Sequence, residues 1–83
     1  MSELSMDDKM ILIQYTIEKY KKEEELLEKL KNVLSEKDIQ RNLDTLIGTQ
    51  CVRRMGPEIL QNNQSHTELP DLPKHLQSIL EKI

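Results

Sequence analysis

SEKDIQRNLDTLIGTQCVRRMG, residues 35–56, contains the pattern from which the predicted fold follows. Ser35 with Asp38 three residues later resembles a capping box, a pattern that marks the N-terminus of a helix. The apolar residues that follow recur at spacings of three and four: Ile39, Leu43, Leu46 and Ile47. This spacing predicts one buried helical face. Gly48 is then expected to end the helix in the left-handed conformation that glycine adopts at low cost.

The same stretch continues into a short extended segment. QCVRRM, 50–55, predicts a strand because β-branched Val52 and Cys51 can both face inward. Gly56-Pro57 predicts a turn. EILQ, 58–61, can return as a second strand, which would complete a small hairpin.

Two more helices precede this stretch. Residues 6–20 carry a helical stripe of apolar side chains: Met6, Met10, Ile13, Ile17 and Tyr20. After the charge cluster KKEEE a second stripe is shifted from the first, with Leu26, Leu27, Leu30, Val33 and Leu34. One helix over both stripes, about 28 residues, would be about 42 Å long. That is too long for so small a domain, so a break and a second helix over about 24–33 are expected.

The last part of the chain predicts a loop and a fourth helix. Residues 61–70, QNNQSHTELP, are polar throughout, which is typical of a loop or linker. Asp71 can cap a helix that has Pro73 in its first turn. The apolar stripe of this helix comprises Leu76, Ile79, Leu80 and Ile83.

This order of elements predicts a mainly α fold: a winged-helix-like three-helix core with a short β-wing and a C-terminal helix. The predicted organisation is a winged-helix-like domain over 1–60, a polar loop or linker over 61–70 and an amphipathic C-terminal helix over 71–83. A plain helical bundle with a loop at 50–57 is the alternative.

Composition excludes several functional classes. The chain has 83 residues, a formal charge of −3 and 2% aromatic residues, so it lacks the rings of a base-stacking platform and the basic surplus of a dedicated nucleic-acid binder. Only 35–56 is net positive, with four basic and three acidic residues. No apolar run approaches the roughly 18 residues of a membrane span, and acids precede the first apolar run. The expected location is intracellular, cytoplasmic or nuclear.

Catalytic chemistry is not expected. Cys51 is the single cysteine, so neither an internal disulfide nor a cysteine-based metal site can form. His66 and His75 have no neighbouring ligands that the sequence can place, and no Gly-rich phosphate loop is present. The sequence therefore predicts a protein that is not an enzyme and has no metal and no cofactor.

The predicted third helix and wing supply the candidate binding residues: Lys37, Gln40, Arg41, Arg53 and Arg54. Gln and Arg can contact base edges and Arg can contact phosphates, but the carboxylates of Glu36, Asp38 and Asp44 would repel a nucleic acid. The expected partner is therefore another protein. A DNA-binding winged helix and a helical oligomerisation module, including a homodimer, remain as alternatives.

DDKMILIQYTIEKYKK, 7–22, resembles the opening of the C-terminal winged-helix domain of cullins, the scaffolds of ubiquitin ligases. The matching positions are Asp8-Lys9, Ile11-Leu12-Ile13-Gln14, Ile17, Lys19 and Lys22. DIQRNLDTLIGTQCVRR, 38–54, resembles the third helix and strand of that family at Ile39, Arg41, Leu46-Ile47, Val52 and Arg53. Glu18, Tyr20 and Lys21 replace apolar residues of the family.

The resemblance implies a non-catalytic subunit or scaffold fragment of a ubiquitin-ligase assembly. It also implies that Lys22 is the lysine that receives a ubiquitin-like modifier.

Overall fold

The computed structural model describes residues 4–63, 69 and 71–83. Its elements in chain order are α1 (Met6–Lys19), α2 (Glu23–Leu30), α3 (Glu36–Gly48), β1 (Val52–Arg54), β2 (Leu60–Asn62) and α4 (Lys74–Lys82). The mainly α architecture with a helical core and a short β-wing is confirmed. The two strands contradict a plain helical bundle with a loop at 50–57.

Serine caps start both of the longer helices. Ser5 Oγ accepts a hydrogen bond from the Asp8 amide at 3.1 Å, and Asp8 Oδ2 accepts one from the Ser5 amide at 3.4 Å, which completes a capping box. Ser35 Oγ accepts from the Asp38 amide at 3.2 Å, so the predicted start of α3 is confirmed. These bonds satisfy amides that have no partner within a helix.

α1 is the helix around which the other elements pack. Its residues Leu12, Ile13 and Ile17 have no solvent-exposed surface. It contacts α2, α3, α4 and β2. A polar bond also reaches α1 from the wing, because Asn62 Nδ2 donates to the Gln14 carbonyl at 2.8 Å. The core therefore centres on α1 and includes one residue from each strand of the wing, Val52 of β1 and Leu60 of β2.

The C-terminal helix packs on its own domain. Leu76 has no exposed surface and Ile83 is buried. At the far end of the helix, Tyr20 Oη donates to the Ile83 carbonyl at 3.0 Å. The other end lies near the start of α1, where His75 Nε2 is 3.1 Å from Asp8 Oδ2.

The end of α3 differs from the prediction. Gly48 does not have a positive φ, and Gln50 takes the left-handed conformation with φ 68°. The Gln50 amide donates to the Ile47 carbonyl at 3.1 Å and the Cys51 amide to the Leu46 carbonyl at 2.9 Å. This pair of bonds is a Schellman motif, in which the left-handed position lies two residues beyond the last helical one.

Three smaller predictions were also wrong. Met6, expected on the apolar stripe of the first helix, is 55% exposed. α2 ends at Leu30, and the chain then turns so that Leu34 is buried and Val33 is exposed. α4 begins after Pro73 as its N-cap, without the predicted Asp71 cap.

The wing contains a third extended segment that the sequence did not suggest. β1 and β2 pair antiparallel, and Lys22 forms an isolated antiparallel bridge with Ile59. The Glu23 amide donates to the Glu58 carbonyl at 2.7 Å, and the Leu60 amide donates to the Lys21 carbonyl at 2.9 Å. The break between the first two helices therefore serves as the third segment of the wing sheet. The loop predicted over 61–70 begins later than expected, because β2 extends to Asn62. Residues 64–68 and 70 of that loop lie outside the described residues.

The two residues at the end of α3 should respond to substitution in a way that only the Schellman geometry predicts. A Cβ at Gly48 would meet no atom within 4 Å, so Gly48→Ala should raise the free energy of unfolding by about 0.5–1 kcal/mol through a better helix propensity. Gln50→Gly should also stabilise, by up to about 1 kcal/mol, because it relieves the left-handed backbone. Urea unfolding measures both. Destabilisation by Gly48→Ala would mean that Gly48 is the left-handed residue.

An ion pair between α1 and α3 should make stability depend on acid. Lys9 Nζ lies 3.0 Å from Asp38 Oδ2. The bond from Lys9 lowers the pKa of the Asp38 carboxyl below its ordinary value. The folded state then binds fewer protons than the unfolded state, so this contribution is complete above about pH 5 and is lost as the pH falls through the lowered pKa.

Asp38→Asn should therefore lower the melting temperature at neutral pH and flatten its decline between neutral and acidic pH. Asp71→Asn is the matched control, because Asp71 is exposed and forms no ion pair within the described residues. Equal acid dependence in wild type and Asp38→Asn would contradict this role of the pair.

Candidate protein-binding surfaces

The exposed face of α3 borders an open groove against α2. The groove encloses about 840 Å³, and its lining comprises Leu27, Lys31, Glu36, Lys37, Gln40, Arg41, Asp44 and Thr45. We call it the α2–α3 groove. Three of the predicted binding residues, Lys37, Gln40 and Arg41, thus lie on one surface with the half-buried Leu27 as an apolar contact.

Several charges of the α2–α3 groove are already compensated. Lys31 Nζ lies 2.8 Å from Glu36 Oε1. This bond raises the pKa of Lys31 and lowers that of the Glu36 carboxyl. Gln40 Nε2 donates to Asp44 Oδ1 at 3.2 Å. Lys37 and Arg41, one helical turn apart, form no ion pair with any described residue. They are therefore the charges that a partner can pair with.

The two arginines of the wing have different environments. Arg54 Nη1 and Nη2 donate to Glu23 Oε2 and Oε1 at 2.9 and 3.1 Å, a bidentate pair that connects β1 to the start of α2. This bond raises the pKa of Arg54. Arg53 is exposed and has no ion pair within the described residues. Since successive strand residues face opposite ways, the two side chains lie on opposite faces of the wing.

Lys22 is exposed and belongs to the wing, because it is the bridge partner of Ile59. The structure therefore places Lys22 with the wing residues, whereas Lys37, Gln40 and Arg41 line the α2–α3 groove. The sequence did not identify Glu23 as the partner of Arg54, since the two are 31 positions apart. Leu27, expected in the core, is half-buried against the core and also contributes to the groove wall.

Two buried polar side chains form hydrogen bonds to backbone carbonyls of their own helices. Buried Asn42 Nδ2 donates to the Asp38 carbonyl at 2.8 Å, and buried Thr16 Oγ1 donates to the Leu12 carbonyl at 2.6 Å. In the described parts of the chain, no three His, Cys, Asp or Glu side chains come together as metal ligands. Nor does any helix there combine the length and apolar character needed to cross a membrane.

The Arg54–Glu23 pair should hold the wing against α2. Glu23→Gln should increase hydrogen exchange at the Arg53 and Leu60 amides by up to about fivefold, because an exposed ion pair contributes at most about 1 kcal/mol to closing the local structure. Glu24→Gln is the control, since Glu24 is exposed in the same helical turn. Identical exchange in both variants would show that the pair does not stabilise the wing.

Comparison with family models, curated proteins and solved structures gives no match to this chain. The resemblance to the cullin C-terminal domain thus stays a prediction from the sequence, and the fold and surfaces above are the basis for a function.

Proposed function

We propose that this protein is a non-catalytic interaction module that binds another protein through the α2–α3 groove. The observation that carries the proposal is the mixture of charges on the exposed face of α3. Glu36 and Asp44 lie in the same groove as Lys37 and Arg41. A partner with both signs of charge and an apolar contact for Leu27 fits this surface, and complementary charge would select that partner.

The same observation disfavours DNA. A phosphate backbone is negative along its whole length, so each carboxylate on the reading helix lowers its affinity. The wing offers one arginine fewer than the sequence suggests, because the Arg54 guanidinium is held in a bidentate pair with Glu23. Lys37, Arg41 and Arg53 are the cations that keep DNA binding as the alternative.

The cullin resemblance gives the proposal a biological setting. In that setting the protein would be an intracellular subunit or scaffold fragment of a ubiquitin-ligase assembly. The exposure of Lys22 supports modification there, because an enzyme must reach the amine.

Substitution of Lys22 tests this modification. The Lys22→Arg variant expressed in cells should lose any ubiquitin-like adduct. The variant at the exposed neighbour, Lys21→Arg, should keep it.

Photo-crosslinking tests the groove directly. With a photoreactive residue in place of Gln40, the protein in a cell extract should give one discrete crosslinked product. That product should be lost when Arg41→Glu reverses a charge of the groove. A photoreactive residue in place of Glu81, exposed on α4, is the control. No Gln40-specific product, or one unaffected by Arg41→Glu, would contradict the proposed surface.

A titration of labelled random duplex DNA separates the two functional classes. The protein should show no binding at tens of micromolar, even at low salt. Salt-sensitive binding, with a slope reduced by about one in Arg41→Ala and likewise in Arg53→Ala, would establish the DNA alternative instead. Sedimentation of the free protein tests the oligomerisation alternative, since a dimer lost in Arg41→Glu would make the partner a second copy.

A further inference from the structure

The register of the wing places one set of side chains on its outer face. Residues directly opposite each other in antiparallel strands point to the same side. Lys22 is opposite Ile59, and Arg53 is opposite Gln61. The Met55 amide donates to the Ile59 carbonyl at 2.8 Å, which continues the β1–β2 register to Met55. The outer wing face therefore consists of Lys22, Arg53, Met55, Ile59 and Gln61.

The two faces of the wing differ sharply in burial. On the inner face Val52, Leu60 and Asn62 are buried in the domain. On the outer face Met55 is 54% exposed and Ile59 is 44% exposed. Solvated strand faces normally carry polar residues, so these two neighbouring exposed apolar side chains make the outer wing face a candidate for contact with another molecule.

The charges on the outer wing face indicate which kind of molecule would fit it. Lys22 lies opposite Ile59 at one end of the cross-strand row that Ile59 forms with Met55. Arg53, in β1, lies two residues before Met55 on the same face. Neither cation forms an ion pair within the described residues. The five residues of the outer wing face include no carboxylate. The face is thus an apolar pair with a cation on each side.

We propose that the outer wing face is a docking site for an acidic amphipathic segment of a partner protein. Aliphatic side chains of the segment would cover Met55 and Ile59, and its carboxylates would pair with Lys22 and Arg53. This surface shares no residue with the α2–α3 groove, and the proposal does not depend on which protein the groove binds.

Other occupants match this surface less well. A second copy packed face to face would bring its own Lys22 and Arg53 near those of the first, and like charges oppose such contact. A nucleic acid would pair with the cations but would leave Met55 and Ile59 without apolar contacts. Only a segment with both acids and aliphatic residues satisfies the whole face.

A synthetic peptide pair tests the proposal. The acidic peptide is an amphipathic helix with two leucines one turn apart and glutamates on both sides of them, and the control peptide has lysines in place of the glutamates. In ¹⁵N NMR titrations at millimolar peptide, the acidic peptide should shift the amides of Lys22, Arg53, Met55, Ile59 and Gln61. The lysine peptide presents the same leucines and should not shift them.

Variants separate apolar from ionic contributions. Met55→Ser with Ile59→Thr should weaken the acidic peptide about tenfold, a loss typical of central apolar contacts. Arg53→Gln should weaken it severalfold at low salt and less at physiological salt. Both changes are at exposed positions, so unchanged circular-dichroism melts should confirm that the variants fold. Arg41→Glu, in the α2–α3 groove, is the control and should bind the peptide as wild type does.

Three results would overturn the proposal. The first is no shift with the acidic peptide, or equal shifts with both peptides. The second is a dimer in sedimentation that Met55→Ser with Ile59→Thr dissociates, which would make the occupant a second copy. The third is salt-sensitive duplex DNA binding that Arg53→Gln weakens and Arg41→Glu leaves unchanged. None of these bears on crosslinking at Gln40, so failure here is distinguishable from failure of the groove.

Discussion

Burial of α1 is the constraint on which the structure depends. A chain of this size with almost no aromatic residues must build its core from aliphatic side chains, and a single helix contacted on several sides is an efficient arrangement. Leu12, Ile13 and Ile17 are fully buried because α2, α3, α4 and β2 all pack against this helix. Two buried polar residues of α1 form hydrogen bonds through the backbone or side chain: Thr16 Oγ1 donates to the Leu12 carbonyl, and the Gln14 carbonyl accepts from Asn62 Nδ2.

Local chemistry in the sequence was enough to predict that four helices and a two-stranded wing exist, in the order that the structure shows. α3 was predicted from residues that lie within a few positions of one another: Ser35 three residues before Asp38, and the apolar spacing from Ile39 to Leu46. Such a pattern can be recognised in the sequence without knowledge of the tertiary structure. The end of α3 was not predicted correctly. Glycine is the residue that most often takes the left-handed conformation, which pointed to Gly48, but in the structure Gln50 takes that conformation. Helix propensity and the path into β1 decide between those positions, and the path is a tertiary property.

The candidate surfaces were predictable only in part for a related reason. Residue type identified Lys37, Gln40 and Arg41, and helical spacing correctly placed them together. Which charges remain for a partner depends on contacts between distant segments, such as Arg54 with Glu23, and no local pattern contains that information. The third segment of the wing was missed because a mixed charge cluster is usually a solvated helix end.

The hydrogen bond between Tyr20 and the Ile83 carbonyl has a consequence for the wing. Tyr20 is the C-cap of α1, and Lys21 and Lys22 leave it directly as the third extended segment of the sheet. The C-terminal end of α4 is thus bonded to the residue at which the chain leaves α1. A displacement of α4 would therefore act on Tyr20, which lies two residues before the pairing of Lys22 with Ile59. In this geometry the C-terminal helix supports the outer wing face without contributing a residue to it.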